Sequence, residues 1–265
     1  MIGRKIGKGR TAEVYQYGKD KIVKLFYTEF ESIINKEYEN AKFAYSSGIK
    51  TPKPYEKIEI DSRKGIIYEK FNGIDLGKAI SKRPFNAVEF GARAASIHAE
   101  INAIETDCLI DQEKMIINRL SGVKCLTEGQ KEKIIKYTSE LPSDNKLCHG
   151  DLHVENYIYN EDSLYAIDWI TAYSGHPAGD IARMLLLMKS PVIKNTLPPI
   201  IGNVVVKMLA KYTSSFLDRY TELTGIDLKT IEEFMLPAAA VRLGENVPYE
   251  KEWLMDIVNS ELERL

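Results

Sequence analysis

LCHGDLHVENYIYNEDSLYAIDW, residues 147–169, holds two short β-rich runs around a polar turn. Tyr157-Ile158-Tyr159 and Leu164-Tyr165-Ala166-Ile167 flank Asn160-Glu161-Asp162-Ser163, which is the composition of a hairpin. With Tyr159 opposite Leu164, Asn156 faces Ile167, and Asp168 is the next residue along. One end of the hairpin then carries a carboxamide and a carboxylate, about 5–6 Å apart between backbones. Two hard oxygen donors suit Mg²⁺, which takes few protein ligands and leaves its other positions to phosphate and water. Asp151 precedes this end by a short loop and is placed to accept a proton from an attacking hydroxyl. An Asp base with Asn and Asp metal ligands is what phosphoryl transfer needs from a protein, namely positioning and charge neutralisation.

On the amino-terminal side the texture is that of a small α+β lobe. Residues 4–26 read as short strands: GKGRTAEVYQY, a turn at Gly18-Lys19-Asp20, then Lys21 to Phe26. A helix follows, with Thr28 and Glu31 at capping-box spacing, Gly48 at its stop and Pro52 just beyond. A second strand pair brackets Asp61-Ser62-Arg63-Lys64-Gly65 and ends in Ile66-Ile67-Tyr68. On the helix, Phe30, Ile33, Ile34, Ala41, Ala44 and Tyr45 form one stripe, and Glu37 falls inside it. A carboxylate facing apolar neighbours needs a partner, and Lys24 on a neighbouring strand is the natural one.

On the carboxy-terminal side the chain is mostly helical. Helices are expected over Asn86–Ile104, Gln112–Leu120, Asp180–Met188, roughly Ile200–Thr224, Lys229–Leu243, and from Lys251 to the end. The change of texture near residue 72 divides the chain into 1–72 and 73–265. Net charge sets further bounds: Lys+Arg 36 against Asp+Glu 38 leaves -2 over 265 residues, no footprint of a nucleic-acid binder. Cys108, Cys125 and Cys148 are odd in number, widely spaced and without CxxC, which fits a reducing compartment. With no signal-peptide core and no apolar stretch long enough to span a bilayer, a cytoplasmic protein without a membrane partner is expected. The His149-x-Asp151-x-His153 spacing also suits a metallohydrolase, but only His98 and His176 remain as further histidines, and His98 sits at the edge of an apolar stripe.

HGDLHVEN followed by IDW and then GHPAGDIA resembles the aminoglycoside phosphotransferase and choline kinase-like family of small-molecule kinases. The resemblance implies a bilobal, protein-kinase-like α+β fold. A small antiparallel-sheet lobe with one helix (1–72) would bind nucleotide, and a larger helical lobe (73–265) would carry catalysis and substrate. It implies Asp151 as catalytic base, Asn156 and Asp168 as Mg²⁺ ligands, and His149 and Asp180 as structural supports of the loop. GKGRTAEV at 7–14 is similar to the family's phosphate-covering loop, which points to Gly7, Gly9 and Thr11, with Ala12 where protein kinases carry a third glycine. Lys24 matches the lysine on the α/β-phosphates, Glu37 its ion-pair partner, and Glu69 and Phe71 the connection that meets adenine through backbone groups. ATP and Mg²⁺ are the implied cofactors.

Only eleven residues separate Asp168 from Asp180, too few for a peptide-docking segment, so a small molecule with a hydroxyl is the expected acceptor. It could be an aminoglycoside, a choline-like amino alcohol, a sugar or an amino-acid-like molecule. A cationic acceptor would call for carboxylates and aromatic faces, for which His153, Glu245, Tyr249 and Trp253 are the candidates. The alternative from another class is a catalytically silent nucleotide-binding module.

Overall fold

The computed structural model describes residues 2–160 and 163–265. Glu161 and Asp162, the middle of the expected hairpin turn, lie outside the described residues. In chain order the strands are β1 (Ile2–Lys8), β2 (Ala12–Tyr17), β3 (Lys21–Phe26), β4 (Pro54–Ile60), β5 (Arg63–Glu69), β6 (Ile74–Asp75), β7 (Lys146–Cys148), β8 (Tyr157–Tyr159), β9 (Leu164–Ala166) and β10 (Tyr173–Gly175). The longer helices are α1 (Ile34–Ser46), α2 (Leu76–Lys82), α3 (Ala87–Asn102), α4 (Gln112–Ser121), α5 (Glu128–Glu140) and α6 (Pro177–Lys189). They continue as α7 (Val192–Thr196), α8 (Pro199–Thr224), α9 (Leu228–Glu233), α10 (Met235–Leu243) and α11 (Lys251–Leu262). The fold is α+β: an antiparallel sheet in the amino-terminal part and helices in most of the rest.

Two compact units result. The first is Met1–Leu76 with Val154–Thr171, and the second is Gly77–His153 with Ala172–Leu265. The hairpin that opened the sequence reading thus packs with the amino-terminal unit, whereas a division at residue 72 counts it with the carboxy-terminal part.

In the first unit five strands form one antiparallel sheet in the order β1-β2-β3-β5-β4. Val23, Leu25 and Ile67 alternate onto its buried face and pack against Tyr15, Tyr17, Ile58 and Ile60. β1 is a strand of its own, so three strands precede α1 rather than the two expected. The β4–β5 turn is tighter than the spacing suggested, because Asp61 and Ser62 both take left-handed φ (49° and 64°) and Arg63 already pairs with Ile60. The entry to α1 differs as well. Thr28–Ile33 is a 3₁₀ segment without a side-chain cap, and Glu31 instead reaches Lys64 at 3.0 Å. The exit follows expectation: Gly48 has φ 84°, its N–H donates to Tyr45 O and that of Ile49 to Ala44 O, a Schellman closure. β6, β8 and β9 make a small separate sheet with Tyr157↔Ala166, Ile158↔Tyr165 and Tyr159↔Leu164 in register, the pairing read from the sequence.

The second unit is built on helices. α3 and α8 pack so closely at Gly91 that a Cβ there would stand 2.3 Å from Tyr212 O. A second core gathers Leu120, Ile134, Leu186, Ala239 and Val258 among others from α4, α5, α6, α10 and α11. The single helix expected over Lys229–Leu243 is broken at Phe234. Pro237 has no N–H to give to Glu233 O, and Tyr137 Oη donates to that carbonyl instead at 3.0 Å. α2, α5 and α7 were not among the expected helices, although α5 opens with a full capping box between Thr127 and Gln130. No helix among the described residues is long and apolar enough to cross a membrane.

Candidate active site

In the first unit Lys24 lies on β3 opposite Val14 and Ile66, with its side chain toward α1. Its Nζ is 2.7 Å from Glu37 Oε1 and 3.3 Å from Asp168 Oδ1. Glu37 is 2% exposed and also accepts from Tyr68 Oη at 3.1 Å, so the buried carboxylate in the stripe has the partner that burial demands. The stripe itself is rotated slightly from expectation: Tyr45 is exposed and Asn40 is buried in its place. Burial pulls the Lys24 ammonium toward neutrality, but the Asp168 and Glu37 carboxylates outweigh it and hold the pKa above that of an ordinary lysine. For Glu37 burial is the largest effect and leaves its carboxyl above the usual range in spite of Lys24.

Asp168 is a non-glycine residue at φ 71°, a strained position that the surroundings must impose. They do so on both sides. Ala166 N–H donates to Lys50 O and Ile167 N–H to Asn156 O, each at 2.9 Å. Trp169 is held by Nε1 donating to Thr51 Oγ1 and by its carbonyl accepting from Asn40 Nδ2, again at 2.9 Å. The Ile167–Asn156 bond places the two oxygen-bearing residues at one end of the hairpin. Elsewhere in this unit Gly9 N–H donates to Ala12 O at 2.8 Å, closing the loop between β1 and β2, and Thr11 O accepts from Tyr27 N–H at 2.9 Å. Neither Gly7 nor Gly9 takes a positive φ, and a Cβ at either would meet only ordinary contacts at 3.4 Å and 3.7 Å. Glu69 N–H is taken by Lys53 O at 2.9 Å, and Phe71 stacks on Tyr165 with ring centroids 4.0 Å apart.

In the second unit α6 organises the loop after β7. Asp180, in the first turn of α6, accepts from His149 N–H at 2.8 Å and Gly150 N–H at 2.7 Å, with His98 Nε2 2.9 Å away. Burial alone would raise its pKa; His98, His149 and the Gly150 N–H bring it down to about 2. Gly150 sits at φ 78°, which turns the chain so that Asp151 follows the clamped amides. One turn further along α6, Arg183 donates from Nη2 to Asp151 Oδ1 at 3.0 Å and reaches Glu245 Oε1 at 2.8 Å. His153 Nε2 is 3.8 Å from Asp151 Oδ2. The glycines of GHPAG pack onto Gln112, since a Cβ at Gly175 or Gly179 would come within 2.5 Å and 2.0 Å of its side chain, and Gln112 Oε1 accepts from His176 N–H.

The sequence profile of the phosphotransferase enzyme family matches residues 2–197. The chain belongs to this family. It is thereby a phosphotransferase, and several solved structures are similar to it. A thermostable mutant of aminoglycoside phosphotransferase APH(4)-Ia, solved in ternary complex with ADP and hygromycin B, aligns with TM-score 0.66 and 13% identity over 98% of this chain and 92% of that one. A protein from Haemophilus somnus 129PT assigned as a fructosamine-3-kinase gives TM-score 0.67 and 14% identity over 98% and 91%. APH(3'')-Id from Streptomyces rimosus gives 0.57 and 14% over 90% and 92%. At such identities the likeness shows the fold. No curated protein sequence matches significantly.

Of the residues expected near the acceptor, Glu245 shares Arg183 with Asp151, while Trp253 and Tyr249 lie in other surroundings. Glu245 is tied to Arg183 and Arg242, Trp253 packs against the core of α4, α5 and α10, and Tyr249 is 56% exposed at φ 68°. Sequence reasoning missed the arginines. Arg242 engages buried Glu250 through Nε at 2.6 Å and Nη2 at 2.9 Å, and Ser190 Oγ donates to the same carboxylate. RLGENVPYE at 242–250 holds the only local signal, with Arg242, Glu245 and Glu250 within nine residues.

Proposed function

We propose that this phosphotransferase moves the γ-phosphate of ATP to a hydroxyl of a small molecule. The observation that carries the reading is Lys24, partly buried on its strand and held by Glu37 and Asp168, with Asp168 in a backbone conformation that the fold imposes. A lysine fixed in this way serves as a point charge for phosphate oxygens. Gly7 and Gly9 support the same reading. No turn or packing contact within the fold requires glycine there, whereas close approach of a phosphate to the backbone does. Thr11 belongs to the same loop, and backbone groups at Glu69 and Phe71 are assigned to adenine.

Asn156 and Asp168 would hold the metal. Their donors are a carboxamide and a carboxylate oxygen at one hairpin end, the hard set that Mg²⁺ prefers, and Asp168 is partly open to solvent. When bound, Mg²⁺ supplies charge neutralisation on the phosphates. Asp151 orients the acceptor hydroxyl and takes its proton as the oxygen attacks the γ-phosphorus, and ADP leaves with the bridging electrons. The backbone of His149 and Gly150, clamped by Asp180, fixes where Asp151 starts, and Arg183 fixes where its carboxylate points. The first unit thus carries the nucleotide and metal groups and the second carries the base.

Titration calorimetry with ADP, with and without Mg²⁺, tests the assignment in the first unit. Asp168→Ala should lose the Mg²⁺-dependent gain in affinity, and Lys24→Ala should weaken binding in both conditions. An Asp168→Ala variant that keeps the full Mg²⁺ dependence contradicts the metal assignment.

A further inference from the structure

The strand that leads into the glycine loop has little of its own to hold it. β1 is an edge strand of the five-stranded sheet, and none of its seven residues is buried. Its pairing with β2 also slips twice, between Ile2 and Lys5 and between Lys5 and Gly7. Only Gly9, Arg10 and Thr11 separate it from β2. A loop entered from such a strand samples many positions unless a contact outside it fixes both of its ends.

Glu13 makes that contact. The second residue of β2, it accepts from Lys5 Nζ on β1, from Tyr15 Oη on its own strand at 2.9 Å, and from Arg63 Nη1 at the start of β5, also at 2.9 Å. Arg63 is anchored in turn, with Nε donating to Phe26 O at 3.2 Å and Nη2 to Leu25 O at 3.0 Å. One carboxylate therefore ties the strand before the loop and the strand after it to the ends of β3 and β5. An isolated exposed ion pair contributes little. The Glu13 side chain, however, is only 16% exposed and takes three donors, two of them cations. An arginine that only satisfied the two β3 carbonyls would not need Glu13, and a tie between β2 and β5 alone would not need Lys5. Glu13 pairs with Leu25 while Val14 pairs with Lys24, so alternation puts Glu13 on the sheet face opposite Lys24. From that face it acts on a phosphate held by Lys24 only through the loop.

Building on the nucleotide reading above, we propose that Glu13 is a positioning residue for the glycine loop, joined to Lys5 and Arg63 so that residues 7–11 are ordered before the phosphates arrive. Arg63 is the anchor and Lys5 the arm to β1. The entropy of ordering the loop is then lost on folding and not on binding, which favours the phosphate-bearing part of the nucleotide.

The test is titration calorimetry of the full chain with ADP and with adenosine, both in the presence of Mg²⁺, together with hydrogen exchange over residues 5–12. Glu13→Gln should weaken ADP binding about fivefold. Adenosine, which brings no phosphate to the loop, should bind as it does to the parent. Exchange should quicken in the loop and stay unchanged in β3. Arg63→Lys keeps the charge but cannot make the three contacts at once, so it should reproduce the loss. Lys5→Met leaves the tie between β2 and β5 intact and should give a smaller one. An ADP affinity unchanged in Glu13→Gln, an equal loss for adenosine, or a loss without faster exchange in the loop would each overturn the inference. Failure of the parent chain to bind ADP would remove the nucleotide assignment and this inference with it. ADP binding that Glu13→Gln leaves untouched removes only the role of Glu13.

Discussion

Asp180 shows how one side chain turns burial into a constraint on the loop that bears the candidate base. It is fully buried, yet its pKa lies at about 2 instead of 3.8, because the cost of burial is outweighed by His98, His149 and the Gly150 N–H. A group with a depressed folded pKa contributes stability that is present above its unfolded pKa and lost as pH falls through the folded one. The contribution here should be complete above pH 3.8 and disappear toward pH 2, amounting to about 2 kcal/mol at roughly 1.4 kcal/mol per pH unit. Acid unfolding of the parent chain and of Asp180→Asn, followed by circular dichroism, checks this: the variant should be less stable at neutral pH and less steeply destabilised between pH 4 and about 2. Glu37 makes a second residue-scale case. Glu37→Ala leaves Lys24 with Asp168 as its counter-charge but takes the acceptor from Lys24 and from Tyr68 Oη, so it should cost about 2 kcal/mol in urea melts. A loss below about 1 kcal/mol would place the pair in the class of surface bridges.

Among the elements, the hairpin and its neighbours were largely legible. The 2-residue period fixed the register of β8 and β9, and with it the joint placement of Asn156 and Asp168. The Lys24–Glu37 contact was legible too, since a lone carboxylate in an apolar helical stripe requires a cation nearby. What stayed hidden has no local pattern. Arg183 meets Glu245 across sixty-two positions, and nothing near either residue in sequence announces the other. The break between α9 and α10 depended on Tyr137, nearly a hundred residues earlier, taking the carbonyl that Pro237 leaves free. At α1 a capping-box spacing was present but unused, because Glu31 found Lys64 and the chain entered through a 3₁₀ turn. The close crossing of α3 on α8 gives an element-scale prediction. Gly91→Ala puts a methyl 2.3 Å from Tyr212 O, so the helices must separate, at a cost of about 3 kcal/mol. Thermal unfolding should show a drop of several degrees, while Gly129→Ala, where a Cβ meets nothing within 4 Å, should be neutral or mildly stabilising.

Taken whole, the chain divides its chemistry by unit. The amino-terminal sheet with the hairpin 154–171 holds Lys24, Glu37 and the two residues proposed as metal ligands, Asn156 and Asp168, and the helical unit holds the loop that bears Asp151. The divided chain order follows from this, since the hairpin is encoded after the helical unit has begun and returns to pack beside Lys50, Thr51 and Asn40. Composition and charge carried no trace of that return. If Asp151 is the proton acceptor of an ATP-dependent transfer, as proposed, γ-phosphate transfer to an acceptor by the parent chain and by Asp151→Asn reads it out. The expected result is a fall in transfer of about 10²–10⁴-fold with Mg·ADP affinity within about twofold of the parent. Transfer by Asp151→Asn at the parental rate would contradict it.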